Sequence, residues 1–172
     1  MSSCLALVRT LVGRGYLYEV RRRGGYYPTP RLQALCGLIQ AGDPWLERVR
    51  PQLAALRDRT DETVMLGKIQ DGGVLFLEVA ESAQPVHYAT RPGERRPLHT
   101  GAGGKAVLAG LAPGEREAVL AAADFRRYTD HTRTTRAALL ADVARAEAQG
   151  WAENAGESVA DLTGLAVALD LG

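Results

Sequence analysis

The chain has 172 residues, which is long enough for one ordinary domain with a small appendage. With 46% hydrophobic and 24% charged residues it has the composition of a globular protein, and no run reaches the ~18 apolar residues that a membrane helix needs. The net charge of +1 is unevenly distributed, because residues 1–31 hold six arginines against one glutamate. A basic start favours contact with a polyanion, although a solvated basic hairpin would carry the same charge.

The two cysteines, Cys4 and Cys36, make no disulfide framework, so a reducing cytoplasm is the expected location. Residues 1–12 lack the basic start, apolar core and cleavage site of a signal peptide. Neither cysteine lies in a C-x-x-C spacing. We therefore expect no membrane partner and no zinc site of this type.

The N-terminal stretch predicts a helix and then a hairpin. Apolar residues at helical spacing begin after Ser2 or Ser3, either of which is a suitable N-cap, and end at Gly13. A strand over Tyr16–Val20, a basic turn and a return strand from Tyr26 follow. The turn contains Arg21, Arg22 and Arg23. This order has the shape of a recognition helix and wing, whose tip reaches phosphates or a minor groove.

Two further helices are predicted before the first long strand. The first covers Leu32–Ile39, and the second begins at Pro44, after Asp43 as its cap, and continues to residue 60. Pro51 lies inside the second helix and should kink it or end its first part. The apolar face of that helix fits a linker and dimer surface as well as it fits plain core packing.

The remainder of the chain mixes strands and helices. The predicted elements are strands at Thr63–Leu66, Val74–Val79, Val86–Thr90 and Leu162–Leu171, and helices at Lys105–Leu111, Pro113–Ala123 and Thr135–Gln149. The last helix is expected to turn Leu139 and Val143 inward and Asp142 outward. The mixture indicates an α+β ligand-sensing domain whose strands form one antiparallel sheet flanked by helices.

The most informative stretch is RRPLHTGAGGKAVLAG, residues 95–110. Its glycines allow close approach of another backbone or of a ligand. The helix that follows presents free N–H groups and the positive end of its dipole, which suits a carboxylate or phosphate. A tight strand-to-helix turn without a ligand would have the same pattern. The nearby Arg91, Arg95 and Arg96 could neutralise an anion or lie in solvent as surface charge.

Other chemistries fit the sequence poorly. A phosphate-binding loop would need serine or threonine at Ala106, and the G-x-G-x-x-A pattern at residues 101–106 lacks a surrounding βαβ unit. No nucleophile elbow or catalytic set is visible. The histidines are scattered rather than spaced as metal ligands; they are His87, His99 and His131. We therefore expect no enzyme activity, no metal and no cofactor.

Four blocks of the chain resemble, in order and spacing, the IclR family of bacterial transcriptional regulators. They are LVGRGYLYEVRRRGGYYPTPRLQAL, LERVRPQLAALRDRTDETVMLGKIQDGGVLFLEVAES, RPLHTGAGGKAVLAGLAPGEREAVL and ARAEAQGWAENAGESVADLTGLAVAL. The first resembles the recognition-helix end, wing and linker of that family, and the others resemble parts of its effector domain. The third is the most specific match, and the resemblance covers nearly the whole chain.

The resemblance implies a repressor or activator that binds operator DNA through a winged helix-turn-helix and senses a small metabolite, such as an organic acid, in a separate domain. It implies a homodimer or a tetramer. Residues 1–30 would form a partial winged helix-turn-helix, 31–42 a linker helix, and 43–172 a GAF/PAS-like effector-binding domain with a curved antiparallel sheet. We expect that domain to be incomplete at its C-terminus and two helices to be missing in front of Met1.

The resemblance also assigns site residues. The effector would lie beside Ala102 and Gly103, approached by Arg96, Asn154 and Gly164. DNA contacts would come from Ser2, Ser3, Arg9, Arg21, Arg22 and Arg23. Family members often carry Asp and Cys at the positions of Asn154 and Gly164.

Leu5 and Ala6 stand where the family has polar readers, and neither side chain can hydrogen-bond a base edge. The alternative hypothesis is therefore a stand-alone module for small-molecule binding or oligomerisation that has lost DNA binding.

Overall fold

The computed structural model describes residues 2–20, 24–41 and 44–170. The chain divides into two compact units, Met1–Val49 and Arg50–Gly172. None of the helices in these described ranges is both long and apolar enough to cross a membrane.

The first unit is a helix, a short hairpin and a second helix. Its elements are α1 (Ser2–Gly13), β1 (Leu17–Glu19), β2 (Tyr26–Pro28) and α2 (Pro30–Ala41). The strands are antiparallel, with Tyr18 opposite Tyr27. Arg31 fastens the start of α2 to the end of α1, because its Nη1 donates to the Arg14 carbonyl at 2.9 Å and its guanidinium lies 5.1 Å from the centre of the Tyr16 ring. The predicted basic turn of Arg21, Arg22 and Arg23 lies outside the described residues.

Helix α3 (Pro44–Thr60) continues through Pro51 instead of ending there. Proline removes the hydrogen bond to the carbonyl four residues earlier, that of Glu47. Glu47 is exposed, so water can satisfy its carbonyl and the helix persists. The predicted cap, Asp43, lies outside the described residues.

The second unit continues with five strands and three helices. They are β3 (Val64–Gln70), β4 (Gly73–Ala80), β5 (Arg95–Pro97), α4 (Ala102–Gly110), α5 (Pro113–Ala121), α6 (Arg136–Gln149), β6 (Ala152–Ala155) and β7 (Thr163–Ala166). Helix α6 begins and ends as its sequence predicts: the Thr135 hydroxyl accepts a hydrogen bond from the Ala138 N–H, and Gly150 adopts a left-handed conformation with φ of 81°.

The expectation of one curved sheet is wrong for the described residues. Strands β3, β4 and β5 form one antiparallel sheet, and β6 and β7 form a separate antiparallel pair. The last strand is shorter than predicted because it pairs only along the four residues of β6.

The predicted strand at Val86–Thr90 is a loop, and Arg95–Pro97 takes its place beside β4. The apolar alternation of the loop is misleading because its groups bond locally. The Gln84 N–H donates to the Ser82 hydroxyl, and a ring nitrogen of His87 lies 2.5 Å from the Gln84 carbonyl. A backbone satisfied in this way has less need of a strand partner.

The core of the second unit lies between β4 and the three helices. Its buried members include Val74, Leu98, Leu108, Leu120, Leu139 and Val143. This confirms the predicted inward positions of Leu139 and Val143. Close packing also explains one glycine: a Cβ on Gly104 would lie 2.1 Å from the Leu98 carbonyl oxygen, so only glycine lets α4 approach the preceding segment.

Candidate functional site

A cleft of about 640 Å³ opens in the second unit beside the turn between β3 and β4. Its walls come from that turn, the segment leading into α4, the loop after α5 and the bend between β6 and β7. The side chains that give the cleft its chemistry include Asp71, Tyr88, Arg96, Thr100, Asp124, Tyr128 and Ser158. Apolar rings, hydroxyls and charges of both signs therefore converge on one space, as in small-molecule sites.

Arg96 is a cation held at the cleft wall. Its Nε donates to the Tyr88 hydroxyl at 2.9 Å and its Nη2 donates to Glu94 Oε2 at 2.8 Å. The hydrogen bond to Tyr88 raises the pKa of the Arg96 guanidinium, and the charge of Glu94 adds to this against the effect of burial. Arg96 is thus a planar, permanently charged fork held in place by two partners.

The neighbouring Arg95 serves the β3–β4 turn instead. Its Nη2 donates to the carbonyls of Gln70 and Asp71, at 2.6 and 3.0 Å. Gly72 in this turn packs against α5, since a Cβ there would lie 2.5 Å from the Ala122 carbonyl oxygen. Both arginines line the cleft, but Arg95 braces the turn whereas Arg96 contacts Tyr88.

Ala102 and Gly103 form the start of α4. Ala102 is buried, and a Cβ on Gly103 would lie 4.0 Å from Val74, so this first turn lies against β4. The N-cap residue, Gly101, provides no side-chain hydrogen bond. The residue of this segment that lines the cleft is Thr100, two positions before Ala102.

Asn154 and Gly164 lie opposite each other on β6 and β7. The Asn154 side chain is buried and holds the following bend: its Oδ1 accepts from the Glu157 N–H at 2.8 Å, and its Nδ2 donates to the Ser158 hydroxyl at 3.0 Å. Ser158 and Val159 then line the cleft. Asn154 and Gly164 do not themselves line the cleft; Asn154 holds the bend whose Ser158 and Val159 do.

The loop after α5 is attached to the same bend. The Thr129 hydroxyl donates to the Gly156 carbonyl at 2.6 Å, and the Thr132 hydroxyl donates to the Glu157 carbonyl at 2.7 Å. Tyr128, which begins this loop segment, lines the cleft. Two walls are therefore joined by hydrogen bonds behind the cleft surface.

Sequence reasoning missed a buried charge cluster around Lys105, whose side chain is only 2% exposed. The Lys105 ammonium donates to Asp142 Oδ2 at 2.7 Å, to Glu157 Oε1 at 2.5 Å and to the Glu153 carbonyl at 2.9 Å. The prediction that Asp142 faces outward is wrong, because it is buried in this cluster. Spacing gave a usable signal: Asp142 lies three residues after Leu139, on the inward face of α6.

Asp142 stays ionised in this cluster. Burial is the largest single influence and raises the pKa of Asp142, but hydrogen bonds and charges from Lys105 and Arg133 together outweigh it. The net pKa of Asp142 lies below its usual value. Arg145 adds a third cationic contact to the same carboxylate.

The described part of the DNA-contact prediction lies on α1. Ser3 and Arg9 are both exposed there. Six residues apart, they lie on different faces of the helix. Arg21, Arg22, Arg23 and the side chain of Ser2 lie outside what the structure describes.

Two of the three histidines, His87 and His99, contact protein groups through their rings. His87 lies between the Gln84 carbonyl and Glu81, and these two contacts, the first being the larger, raise the pKa of His87. One ring nitrogen of the buried His99 contacts the Arg126 carbonyl at 2.9 Å. Across residues 2–20, 24–41 and 44–170, no group of three or more His, Cys, Asp or Glu side chains is arranged to hold a metal ion.

Comparison with known proteins identifies the family. The model of the bacterial transcriptional regulator IclR C-terminal domain matches residues 44–169. The chain belongs to the IclR family. The matched region contains the whole cleft and the Lys105 cluster.

Curated IclR-family relatives are longer than this chain. The HTH-type transcriptional regulator BhcR of Paracoccus denitrificans is 38% identical over 107 residues, which cover 62% of this chain and 38% of the relative. The HTH-type transcriptional regulator KdgR of Dickeya chrysanthemi is 26% identical over 166 residues, covering 96% of this chain and 54% of the relative. The chain thus spans about two fifths to one half of the lengths of these two curated relatives.

Solved IclR structures share the fold. A regulator from Silicibacter sp. TM1040 superposes with a TM-score of 0.76 at 30% identity, covering 95% of this chain and 64% of that one. An IclR homolog from Microbacterium hydrocarbonoxydans, solved in complex with 4-hydroxybenzoate, gives a TM-score of 0.73 at 28% identity, covering 96% and 68%. The α+β effector-domain fold and the family are confirmed, and the winged helix-turn-helix stays a prediction.

Proposed function

We propose that this chain acts in a transcriptional regulator that binds operator DNA and senses a small organic acid in the cleft of its second unit. The observation that carries the proposal is Arg96, a charged fork held in the cleft by Tyr88 and Glu94. The names of the curated relatives support the regulatory part, because they are transcriptional regulators.

The cleft favours a flat monoanion. A guanidinium matches a carboxylate in shape and charge, and tyrosine rings offer apolar faces with polar tips. Tyr88 and Tyr128 provide two such rings, while Asp71 and Asp124 disfavour a ligand with a second negative charge. The start of α4 at Ala102 and Gly103 would add its dipole, and Asn154 and Gly164 would support the opposite wall.

In this proposal the ligand acts by shifting a population between two arrangements of the regulator. DNA contacts come from Ser2, Ser3, Arg9 and the arginines of the basic turn, within a homodimer or tetramer in the bacterial cytoplasm. The ligand changes DNA affinity only as far as it prefers one arrangement over the other.

Calorimetric titration with 4-hydroxybenzoate tests the ligand site. This compound is the ligand of the Microbacterium hydrocarbonoxydans homolog and has the shape that the cleft favours. Arg96→Ala should weaken binding by about tenfold or more, because a charge-assisted hydrogen bond is worth roughly 1.5–3 kcal/mol. Arg91→Ala is the matched control, since Arg91 is exposed and does not line the cleft. If the parent and both variants bind 4-hydroxybenzoate equally well, Arg96 does not contribute to ligand binding.

A stand-alone binding module without DNA contacts is the second candidate. It is favoured by the exposed Leu5 and Leu7 on α1, which are 45% and 60% exposed and cannot read bases. Binding of duplex DNA from the region upstream of the coding sequence, measured over a range of salt, separates the two candidates. If the chain binds this DNA no more tightly than it binds unrelated duplex DNA, the result supports the stand-alone binding module.

A further inference from the structure

We propose that Lys105 is a positioning residue for the cleft. Its buried ammonium holds in place the bend between β6 and β7, which carries the cleft residues Ser158 and Val159. The inference rests on the ligand-sensing role proposed above and adds a residue that does not itself line the cleft.

All three N–H groups of the Lys105 ammonium are used, and each bonds a different element. Asp142 belongs to α6, the Glu153 carbonyl to β6, and Glu157 to the bend between β6 and β7. An ammonium with three partners in three directions holds its neighbours at fixed separations. Lys105 is therefore a junction between α4 and the structure behind the cleft.

The junction connects two walls of the cleft. Thr100 lines one wall and lies just before α4, the helix that carries Lys105. Ser158 lines another wall and follows Glu157 directly in the chain. A shift of Glu157 relative to α4 would therefore change the distance across the cleft.

The two acids of the cluster depend on Lys105 to different degrees. Asp142 also binds Arg133, whose Nε donates at 2.8 Å, and Arg145. The Glu157 carboxylate has Lys105 as its cationic partner, and its second oxygen is buried with no hydrogen-bond partner among the described residues. Loss of the ammonium would leave Glu157 as a buried carboxylate without a donor, whereas Asp142 would keep two. The damage should therefore fall on the bend and leave α6 in place.

Hydrogen–deuterium exchange of the full chain, without ligand, tests this asymmetry. Lys105→Met should speed amide exchange in residues 153–160 by about tenfold or more, while residues 64–80 in β3 and β4 exchange as in the parent. Lys105→Met combined with Glu157→Gln should recover part of the protection, because the stranded charge is gone while the three hydrogen bonds of the ammonium stay lost. Arg145→Met is the matched control: it removes a cation from the same cluster without touching Glu157, and should leave the bend protected.

A pH series separates this electrostatic role from packing. The charged groups of the cluster are Lys105, Asp142, Glu157, Arg133 and Arg145, and the titratable His131 lies beside Gly156 in the same bend. The unfolding midpoint of Lys105→Met should lie below that of the parent, and this difference should shrink as the pH is lowered, since protonation of the stranded carboxylate removes the cost of burying its charge. In the double variant the difference should not change with pH.

Three outcomes would overturn the proposal: unchanged exchange in Lys105→Met, a uniform rise that includes residues 64–80, or no rescue in the double variant. If Lys105→Met does not fold, the double variant must fold, and its failure to do so counts equally against the proposal. Absence of 4-hydroxybenzoate binding by the parent would contradict the proposed function alone, because the exchange experiment uses no ligand.

Discussion

The two units of the chain are stabilised in different ways. In the described part of the first unit no residue is buried, and α1, the hairpin and α2 are joined by contacts such as that of Arg31 with the Arg14 carbonyl. The second unit encloses fully buried side chains such as Leu108, Leu139 and Val143. The first unit therefore relies on local sequence signals, while the second relies on contacts between residues far apart in the chain. Matched substitutions in both units can test this difference.

The largest effect is expected from a buried leucine. Leu139→Ala should lower the free energy of unfolding by about 3 kcal/mol, because it removes a fully buried side chain and leaves a cavity. Leu7→Ala in α1 should change it by less than about 0.5 kcal/mol, since Leu7 is 60% exposed. Urea denaturation followed by circular dichroism measures both. Similar losses in the two variants would show that α1 is also part of a buried core.

A smaller effect is expected from the glycine turn. Gly104→Ala should cost about 2 kcal/mol, because the new methyl group would meet the Leu98 carbonyl and force α4 away. Gly101→Ala is the control, as nothing lies within 4 Å of a Cβ there. Thermal unfolding should separate the two variants clearly. Equal midpoints would mean that α4 can move away from Leu98 at no cost.

Helix signals provide a third test. Thr135→Ala should cost about 1 kcal/mol, because the N-cap acceptor of α6 is lost. Thr10→Ala should be neutral or slightly stabilising, because Thr10 lies within exposed α1 and its hydroxyl donates to the Ala6 carbonyl four residues earlier. The two unfolding free energies should therefore change in opposite directions or by clearly different amounts, and a larger loss for Thr10→Ala would contradict this account.

The smallest effect is expected from a surface ion pair. The hydrogen bond from Arg136 lowers the pKa of the exposed Glu117. A carboxylate whose pKa is lower in the folded state contributes stability above its unfolded pKa and loses it as the pH falls through the folded pKa. Glu117→Gln should therefore reduce the unfolding midpoint slightly at neutral pH and not at all in strong acid, and high salt should abolish the difference. A difference that persists in acid would point to packing instead of charge.

The elements with strong local signals were predictable from sequence. Thr135 and Gly150 delimit α6, and the Asp71-Gly72-Gly73 turn joins β3 to β4, because caps and turns depend on a few neighbouring residues. Residues 86–90 misled the prediction, since their alternation fits a strand but local hydrogen bonds hold them as a loop. The pairing partner of a strand is set by distant residues, which a local pattern does not contain.

In the candidate site, too, some residues could be predicted from local sequence and others could not. Arg96, which the sequence had singled out, lines the cleft, whereas Gly101, Gly103 and Gly104 of the glycine turn do not. Tyr88, Tyr128 and Ser158 were missed as cleft residues because they come from three separate loops or bends that only folding brings together. The prediction of an effector contact at Ala102, Gly103, Asn154 and Gly164 stays open, and the structure locates all four in the second unit.

By itself, the sequence determined the family, the order of the main helices and which apolar residues of α6 face the core. Hydrophobic periodicity and the order of motifs depend on residues that are close together in the chain. Tertiary structure alone decided that Arg95 bonds the backbone of a turn while Arg96 contacts Tyr88, in a cleft that both arginines line, and that Asp142 is buried. The physical reason is that a charged side chain can be buried only where distant partners meet it. Asp142 and Glu157 lie 37 and 52 positions after Lys105 along the chain, and both carboxylates bind its buried ammonium.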